Sequence, residues 1–284
     1  MNRKSKQTIA FGAFRLLSLA VMGILLWILG FIIYNGAGAM SIEFLTTSPK
    51  DNMTEGGIFP AIVGTFYLVV CSMAFAFPLG VMSAIYITEY ASNATIVRII
   101  RIMTNNLGGV PSIVFGLFGM SLFVNTFGFG DSILAGSLTL GLLILPLVIR
   151  TTEEALKAVP DAYRSGSLAL GATKLQTVRR IVMPAAMPNI ITGLILSIGR
   201  ISGETAPILF TAAAYFLPQL PHSIFDQVMA LPYHLYVLAT SGTDIEASEG
   251  AAYGTALVLV GIVLLMNAFA GVIRRYFNNK MKTY

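Results

Sequence analysis

Six stretches of apolar residues, each long enough to cross the hydrocarbon core of a bilayer as a helix, divide this chain. They run from about Leu16 to Tyr34, Ala61 to Ile87, Asn106 to Phe127, Ser132 to Ile149, Ala185 to Phe216 and Ala251 to Ile273. The apolar residues form blocks without the period-two alternation of a membrane barrel, so helices are predicted throughout. Pro78 and Gly80 predict a kink in the second stretch, tolerated inside a bundle. Gly108, Gly109, Pro111, Gly116 and Gly119 make the third one fit for close backbone approach. The fifth exceeds one span, and Pro207 is expected to kink or end its helix.

The connections differ in character. Asn35 to Pro60 is a polar loop with Glu43, Lys50, Asp51 and Glu55, and Glu89 to Arg101 reads as a short charged link. Gly128-Phe129-Gly130-Asp131 is a tight turn, whereas Leu217 to Gly250 has interfacial features: Pro218, Pro221, Pro232, Tyr233, Tyr236, His222 and His234. Ala37-Gly38-Ala39 has the form of a signal-peptidase site, but the apolar stretch before it is too long for a signal peptide and reads as an uncleaved anchor.

Glu153 to Pro184 holds the largest cluster of charge. Asp161 after Pro160 suits a helix N-terminus, and Gly171 can end that helix in a left-handed cap. Thr173 with Gln176 has the form of a capping box for a second short helix, and Pro184 is expected to mark where the next membrane run begins. Two short helices at roughly a right angle result, readable equally as an ordinary loop or as a docking element.

Composition confirms the class. Hydrophobic residues make up 56% and charged residues 11%, with a mean hydropathy of +0.78. No soluble protein is described by these values, and the fold class is all-α integral membrane. The net charge of +5 is not a nucleic-acid surface, because the basic residues lie in blocks flanking the apolar runs. With the N-terminus in the cytoplasm, 18 basic residues sort on one side except Lys50, in an outer loop, and Arg200, within a span. That asymmetry predicts six spans with both termini and the 153–184 segment in the cytoplasm, contacting membrane lipid along their length. Cys71 stands alone in an apolar run as a small packed residue.

No phosphate loop, HExxH, paired-cysteine spacing or GxSxG elbow is present, so neither ATP hydrolysis nor metal or cofactor chemistry is expected of this chain. Gly199-Arg200-Ile201-Ser202-Gly203-Glu204-Thr205 stands out within the fifth run. An ionisable residue at such depth needs a partner or a water-filled path. Arg200 and Glu204, four apart, are expected on one helix face, and read equally as a packing pair or as groups of a translocation path with Ser202 and Thr205. A guanidinium also suits phosphate oxygens. The outer loops carry Glu43, Asp51, Glu55, Asp131, Asp226, Asp244, Glu246 and Glu249 against one lysine, so an anion would be handed over by another protein. An ion-coupled secondary transporter is the alternative, but the polar insertion and the absence of an inverted repeat count against it.

The 153–184 segment resembles the cytoplasmic loop of ABC-importer permeases, E-A-A, three residues, glycine, nine residues, isoleucine, any residue, leucine-proline. Here the spacing is kept as Ser165-Gly166-Ser167, Gly171, Ile181, Val182 and Met183-Pro184, with S-G-S for E-A-A. GGIFPAIVGT from Gly56, NNLGGVPSIVFGLFG from Asn105, LTLGLLILPLVIRTTEEALKAVP from Leu138 and GETAPILFTAAAYF from Gly203 look like the A-type permease of bacterial phosphate-specific ABC importers. The resemblance implies a type I importer permease fold with a cytoplasmic coupling helix, in a bacterial cytoplasmic (inner) membrane. It also implies a second, C-type permease, two copies of an ATP-binding subunit and an extracytoplasmic phosphate-binding protein. On that basis residues 61–273 would be the permease core with a coupling loop at 150–184, preceded by residues 1–60 (tail, first helix and outer loop) and followed by a tail, 274–284. Tyr163, Arg164, Ser167, Leu170, Gly171 and Lys174 would face the ATPase, with Tyr163, Ser167 and Leu170 on one helix face and Arg164 free for the partner's carboxylates.

Overall fold

The computed structural model describes residues 3–53, 55–240 and 245–282. Asp244, and the side chains of Arg3, Lys4, Lys6, Glu246, Lys280 and Lys282, lie outside that description. Helix α1, Arg3–Gly36, starts well before the first apolar run. The window that qualifies it as a span has no buried residue. It meets the rest of the chain near its end, where Phe31 and Tyr253 rings make an edge contact at 5.7 Å. A short helix α2, Ile42–Thr46, follows, capped by Ser41 Oγ accepting from the Phe44 amide. A two-residue hairpin, β1 (Pro49–Lys50) and β2 (Glu55–Gly56), pairs Pro49 with Gly56.

Helix α3, Phe59–Ile85, continues through a π-type turn, Tyr86–Tyr90, making one span of 32 residues. Pro78 lies inside it. Gly80 is required by packing, since a Cβ there would stand 2.5 Å from Val148. Helix α4, Ala94–Leu107, replaces the expected charged link. Asn93 caps it by accepting from the Thr95 and Ile96 amides. Its apolar residues recur with helical period around Arg98 and Arg101, a pattern that a search for continuous apolar runs passes over. Gly108 to Pro111 cannot continue it, and the chain resumes as α5, Ser112–Gly119, prolonged by a π-type turn to Thr126, at 99° to α4. The helix in the third apolar run therefore begins at Ser112, not Asn106, and at a 1.5 Å rise it is only about 22 Å long, short for a span by itself.

Helix α6, Ile133–Lys157, runs past the expected end at Ile149. Arg150 pairs with Glu154 at 3.1 Å and Lys157 with Glu153 at 2.5 Å, both four residues apart, so the charged turns stay helical. Two short helices follow, α7 (Asp161–Ala169) and α8 (Lys174–Thr177). A π-type turn, Val178–Val182, then leads directly into α9, Met183–Ile201, so Lys174–Ile201 is one span of 28 residues. Pro184 does not begin it. The wider turn just before Pro184 absorbs the missing amide and the ring's clash with the preceding turn.

The fifth run breaks earlier than expected, at Ser202-Gly203. Pro207 lies in the first turn of a short helix α10, Ala206–Leu209, instead of inside a long one. Residues 210–230 fold back as irregular chain whose two ends, around Thr211 and Met229, are buried while its middle is exposed. There Thr211 and Asp226 carbonyls accept from the Ser132 and Ile133 amides, and Ala213 bridges Val228. Thr65 Oγ1 accepts the first amide of α11, Leu231–Thr240, at 2.8 Å. Helix α12, Ile245–Lys282, closes the bundle. Five helices are long and apolar enough to cross a membrane, and the bent α4–α5 pair makes a sixth candidate. Leu68, Val69, Met73, Leu140, Ile144, Val148, Ile201 and Ile208 form the core, where α3, α6, α9 and α10 meet.

Candidate functional site

Arg200 sits in the last turn of α9, and Glu204 lies beyond the helix end. They are not on one helix face. Arg200 Nε approaches Glu204 Oε1 at 3.8 Å across the break, with the arginine side chain 45% exposed. Ser202 is buried and donates to the Ile198 carbonyl at 2.8 Å, terminating the helix. Thr205 precedes α10 without a side-chain cap. Among the expected path residues only Arg200 and Glu204 thus present charge, and their contact is loose.

Arg200 lines a cleft of about 330 Å³ with Thr104, Asn105, Gly108, Gly109, Pro146 and Arg150. The bend between α4 and α5 opens this space, which is why the glycines fall there. A second hollow of about 230 Å³ adjoins it, since Thr104, Asn105 and Arg150 line both. Glu153 stands in its wall, 2.6 Å from Arg101 of α4 and also paired with Lys157. Two arginines, an asparagine and a threonine therefore line one space, with Arg150 Nε bonded to Glu154 and the Thr104 hydroxyl donating to the Ile100 carbonyl. Arg150, Thr104 and Asn105 were not singled out as site residues from sequence; the breaker run Gly108-Gly109-Val110-Pro111 was the signal that could have led to them.

At the basic end, α7, α8 and the turn between them form a compact knuckle. Gly171 has φ +81°, with its amide donating to Leu168 and the Ala172 amide to Ser167, a Schellman cap. Both halves of the capping box are present, Gln176 amide to Thr173 Oγ1 at 3.3 Å and Thr173 amide to Gln176 Oε1 at 2.9 Å. Tyr163 and Leu170 face outward, 51% and 91% exposed. Ser167 instead turns to Thr177, oxygen to oxygen 2.9 Å, so it does not share their face. Leu168 and Leu175 are exposed in its place. Four large apolar side chains at the tip of a polar knuckle mark a contact surface.

Arg164 is not free. Its Nη2 and Nε donate to the Glu89 carboxylate, at 2.7 Å in the closest contact, Nη1 and Nη2 donate to the Val159 and Leu156 carbonyls, and Nη1 also meets Asp161. The bond from Glu89 raises its pKa further. Lys174 is exposed, its Nζ 5.2 Å from the centre of the Tyr90 ring.

The family described as binding-protein-dependent transport system inner membrane component matches residues 76–283. This chain belongs to that family. The permease is 37% identical over 281 residues to a probable ABC transporter permease protein, YqgI, of Bacillus subtilis, covering 95% of each chain. It is 38% identical to the phosphate transport system permease protein PstA of Mycobacterium leprae, covering 96% of this chain and 90% of that one. Its fold is that of a solved bacterial alginate ABC transporter in complex with a periplasmic protein carrying an alginate pentasaccharide. There the TM-score is 0.68 at 14% identity, with 96% of both chains covered. A methionine ABC transporter, MetNI, matches at TM-score 0.58 and 20% identity over 78% of this chain and 94% of that one. The permease fold expected from the sequence is therefore the fold found, and the cleft and the knuckle are parts of a multi-pass transport subunit.

Proposed function

We propose that this permease is one transmembrane half of an ATP-driven importer of inorganic phosphate, with α7 and α8 on the cytoplasmic side. The observation that carries the reading is the cleft in which Arg150 and Arg200 face the α4–α5 bend. Guanidinium forks match the oxygens of a tetrahedral oxyanion, and an arginine that is half exposed and loosely paired has donors to offer. Relatives named as phosphate transport permeases, in Mycobacterium leprae and Haemophilus influenzae, supply the substrate.

The exposed side of the cleft suits completion by a second, homologous permease. The chain has no phosphate loop, so hydrolysis falls to a pair of separate ATPase subunits. Tyr163, Leu168, Leu170 and Leu175 are the surface offered to one of them. The acidic outer loops favour delivery by a binding protein over capture of free anion. The family's own description includes such a protein.

Reconstitution in proteoliposomes with those partners tests the reading. ATP on the knuckle side should drive uptake of radiolabelled phosphate, and Arg200→Ala should lower that uptake at least tenfold while the subunits still co-purify. Phosphate uptake by this chain alone, driven by an ion gradient, would overturn it.

A further inference from the structure

The knuckle is held to the bundle by two adjacent residues of one turn. Glu89 and Tyr90 end the π-type turn that extends α3, and they meet Arg164 of α7 and Lys174 of α8 respectively. The Glu89 side chain is 7% exposed and that of Arg164 19%, so this pair is largely removed from water.

All five N–H groups of Arg164 are accounted for. Nε and one Nη2 hydrogen go to Glu89, the other Nη2 hydrogen to the Leu156 carbonyl, and the two on Nη1 to the Val159 carbonyl and Asp161. Leu156 is in the last turn of α6, whose final carbonyls have no intrahelical donor, and Val159 lies just beyond. Arg164 therefore caps α6, where a cation is favoured, while clamping the end of α3 with a bidentate fork. Three elements, α3, α6 and α7, share one guanidinium. Among the described residues no other ion pair joins α7 to a membrane-spanning helix.

The covalent route out of the knuckle is different on its two sides. Toward α9 the chain runs as continuous helix from Lys174 to Ile201, and any displacement of α8 is carried along it. On its other side the knuckle joins α6 through Ala158 to Pro160, and α6 packs along α3. The knuckle itself reaches the end of α3 directly through the side chains that meet Glu89 and Tyr90. A π-type turn, wider and less regular than the helix it ends, is a place where that load can be taken up.

We propose that the Glu89–Arg164 clamp, seconded by Lys174 on Tyr90, is the joint through which displacement of the knuckle moves α3, and that it sets how much transport each ATP hydrolysed yields. Arg164 and Glu89 are positioning residues: neither lines the arginine cleft, and neither faces the apolar tip offered to the ATPase. The proposal rests on the importer reading given above.

The test uses the complete reconstituted complex, in a Cys71→Ser background, with phosphate uptake and ATP hydrolysis measured on the same vesicles. Glu89→Gln keeps size and one acceptor but removes the charge that holds the fork. It should lower phosphate taken up per ATP at least fivefold, with binding-protein-stimulated hydrolysis within twofold of the parent. Arg164→Lys should fall between the two. In Glu89→Cys with Arg164→Cys, the ratio should be low with free thiols and recover by at least half when a short bis-thiosulfonate spacer links them, because the link restores the tether without the charge.

A ratio unchanged in Glu89→Gln, or a spacer that fails to raise it although mass analysis shows the link formed, overturns the joint. So does a parallel fall of uptake and hydrolysis, which would make the pair an assembly contact. Parent vesicles that take up phosphate without ATP would instead sink the importer reading itself.

Discussion

Arg164 and Arg200 each stand beside a helix C-terminus with a carboxylate in reach, and the two regions they occupy use the same side chain in opposite ways. Arg164 has every donor bonded and is largely buried with Glu89. Arg200 has one polar contact among the described residues, at 3.8 Å, and nearly half its side chain is exposed to an open cleft. A guanidinium whose donors are all fixed holds elements together. One whose donors are unfilled at the wall of a cleft is available to an anion. The difference teaches that hydrogen-bond saturation separates an arginine that ties elements together from one whose donors remain open, the property on which the proposed role of Arg200 rests.

The sharpest way to break this comparison is to remove each side chain in turn. Arg164→Met leaves the buried Glu89 carboxylate unpaired, an arrangement that costs about 3–5 kcal/mol. Arg200→Met removes an exposed, loose pair, so the change should stay within about 0.5 kcal/mol. Thermal unfolding of the two variants in detergent, beside the parent, reads both. The phosphate-uptake assay should show the reverse weighting for the cleft, since Arg200→Met abolishes uptake in a protein of normal stability. Equal destabilisation by the two substitutions would make Arg200 a packing residue.

His234 sharpens the same contrast at the acidic end. It is buried at 3% exposure in α11, its Nδ1 has no hydrogen-bond partner among the described residues, and it borders a hollow of about 550 Å³ that also includes Glu43 and Glu55. Burial pushes its pKa from 6.5 down to about 4. The neutral ring is favoured in the fold, so this site has no pH dependence above the unfolded value. As pH falls through 6.5 the unfolded chain takes up the proton first, and stability is lost at about 1.4 kcal/mol per pH unit until pH approaches the folded value. The melting temperature should therefore drop between pH 7 and pH 5, and His234→Gln should flatten that segment of the profile. An identical slope in the variant would assign the pH dependence to other groups.

The origins of these features explain how far the sequence could be read. Gly171, Thr173 and Gln176 were legible because left-handed caps and capping boxes are local, and the backbone takes them wherever the residues permit. Four of the six apolar runs were legible as single helices because hydropathy is a local property, whereas the third and fifth are broken, at residues 108–111 and at Ser202-Gly203. The end of α6 was not, because the first charge after Ile149 stops a hydropathy pattern while two i,i+4 ion pairs keep the helix going. Helix α4 escaped because it is amphipathic and bends by 99° into its successor. Arg164 was read as free for a partner, since nothing near it in sequence reveals Glu89, 75 residues earlier. Arg150 was visible as a topological charge; only the packing of α6 against α9 puts it in the wall of the same cleft as Arg200.

The smallest predicted effects test whether the knuckle is built by backbone conformation or by contacts. Beyond its chain neighbours and its own helix backbone, neither Gly166 nor Gly171 has an atom of the described residues within 4 Å of where a Cβ would stand, so space does not distinguish them. Conformation does: Gly171 has φ +81°, whereas Gly166 lies inside α7. Gly171→Ala forces an L-residue into the left-handed region and should destabilise by about 1–2 kcal/mol. Gly166→Ala should stabilise α7 by about 0.5–1 kcal/mol, because alanine has less backbone freedom to lose in a helix. Opposite shifts in melting temperature from the same added methyl, five residues apart, would show that the turn at Gly171 is what shapes the knuckle. Shifts of the same sign would mean that an unseen contact at Gly166, such as a partner seated against α7, outweighs helix propensity.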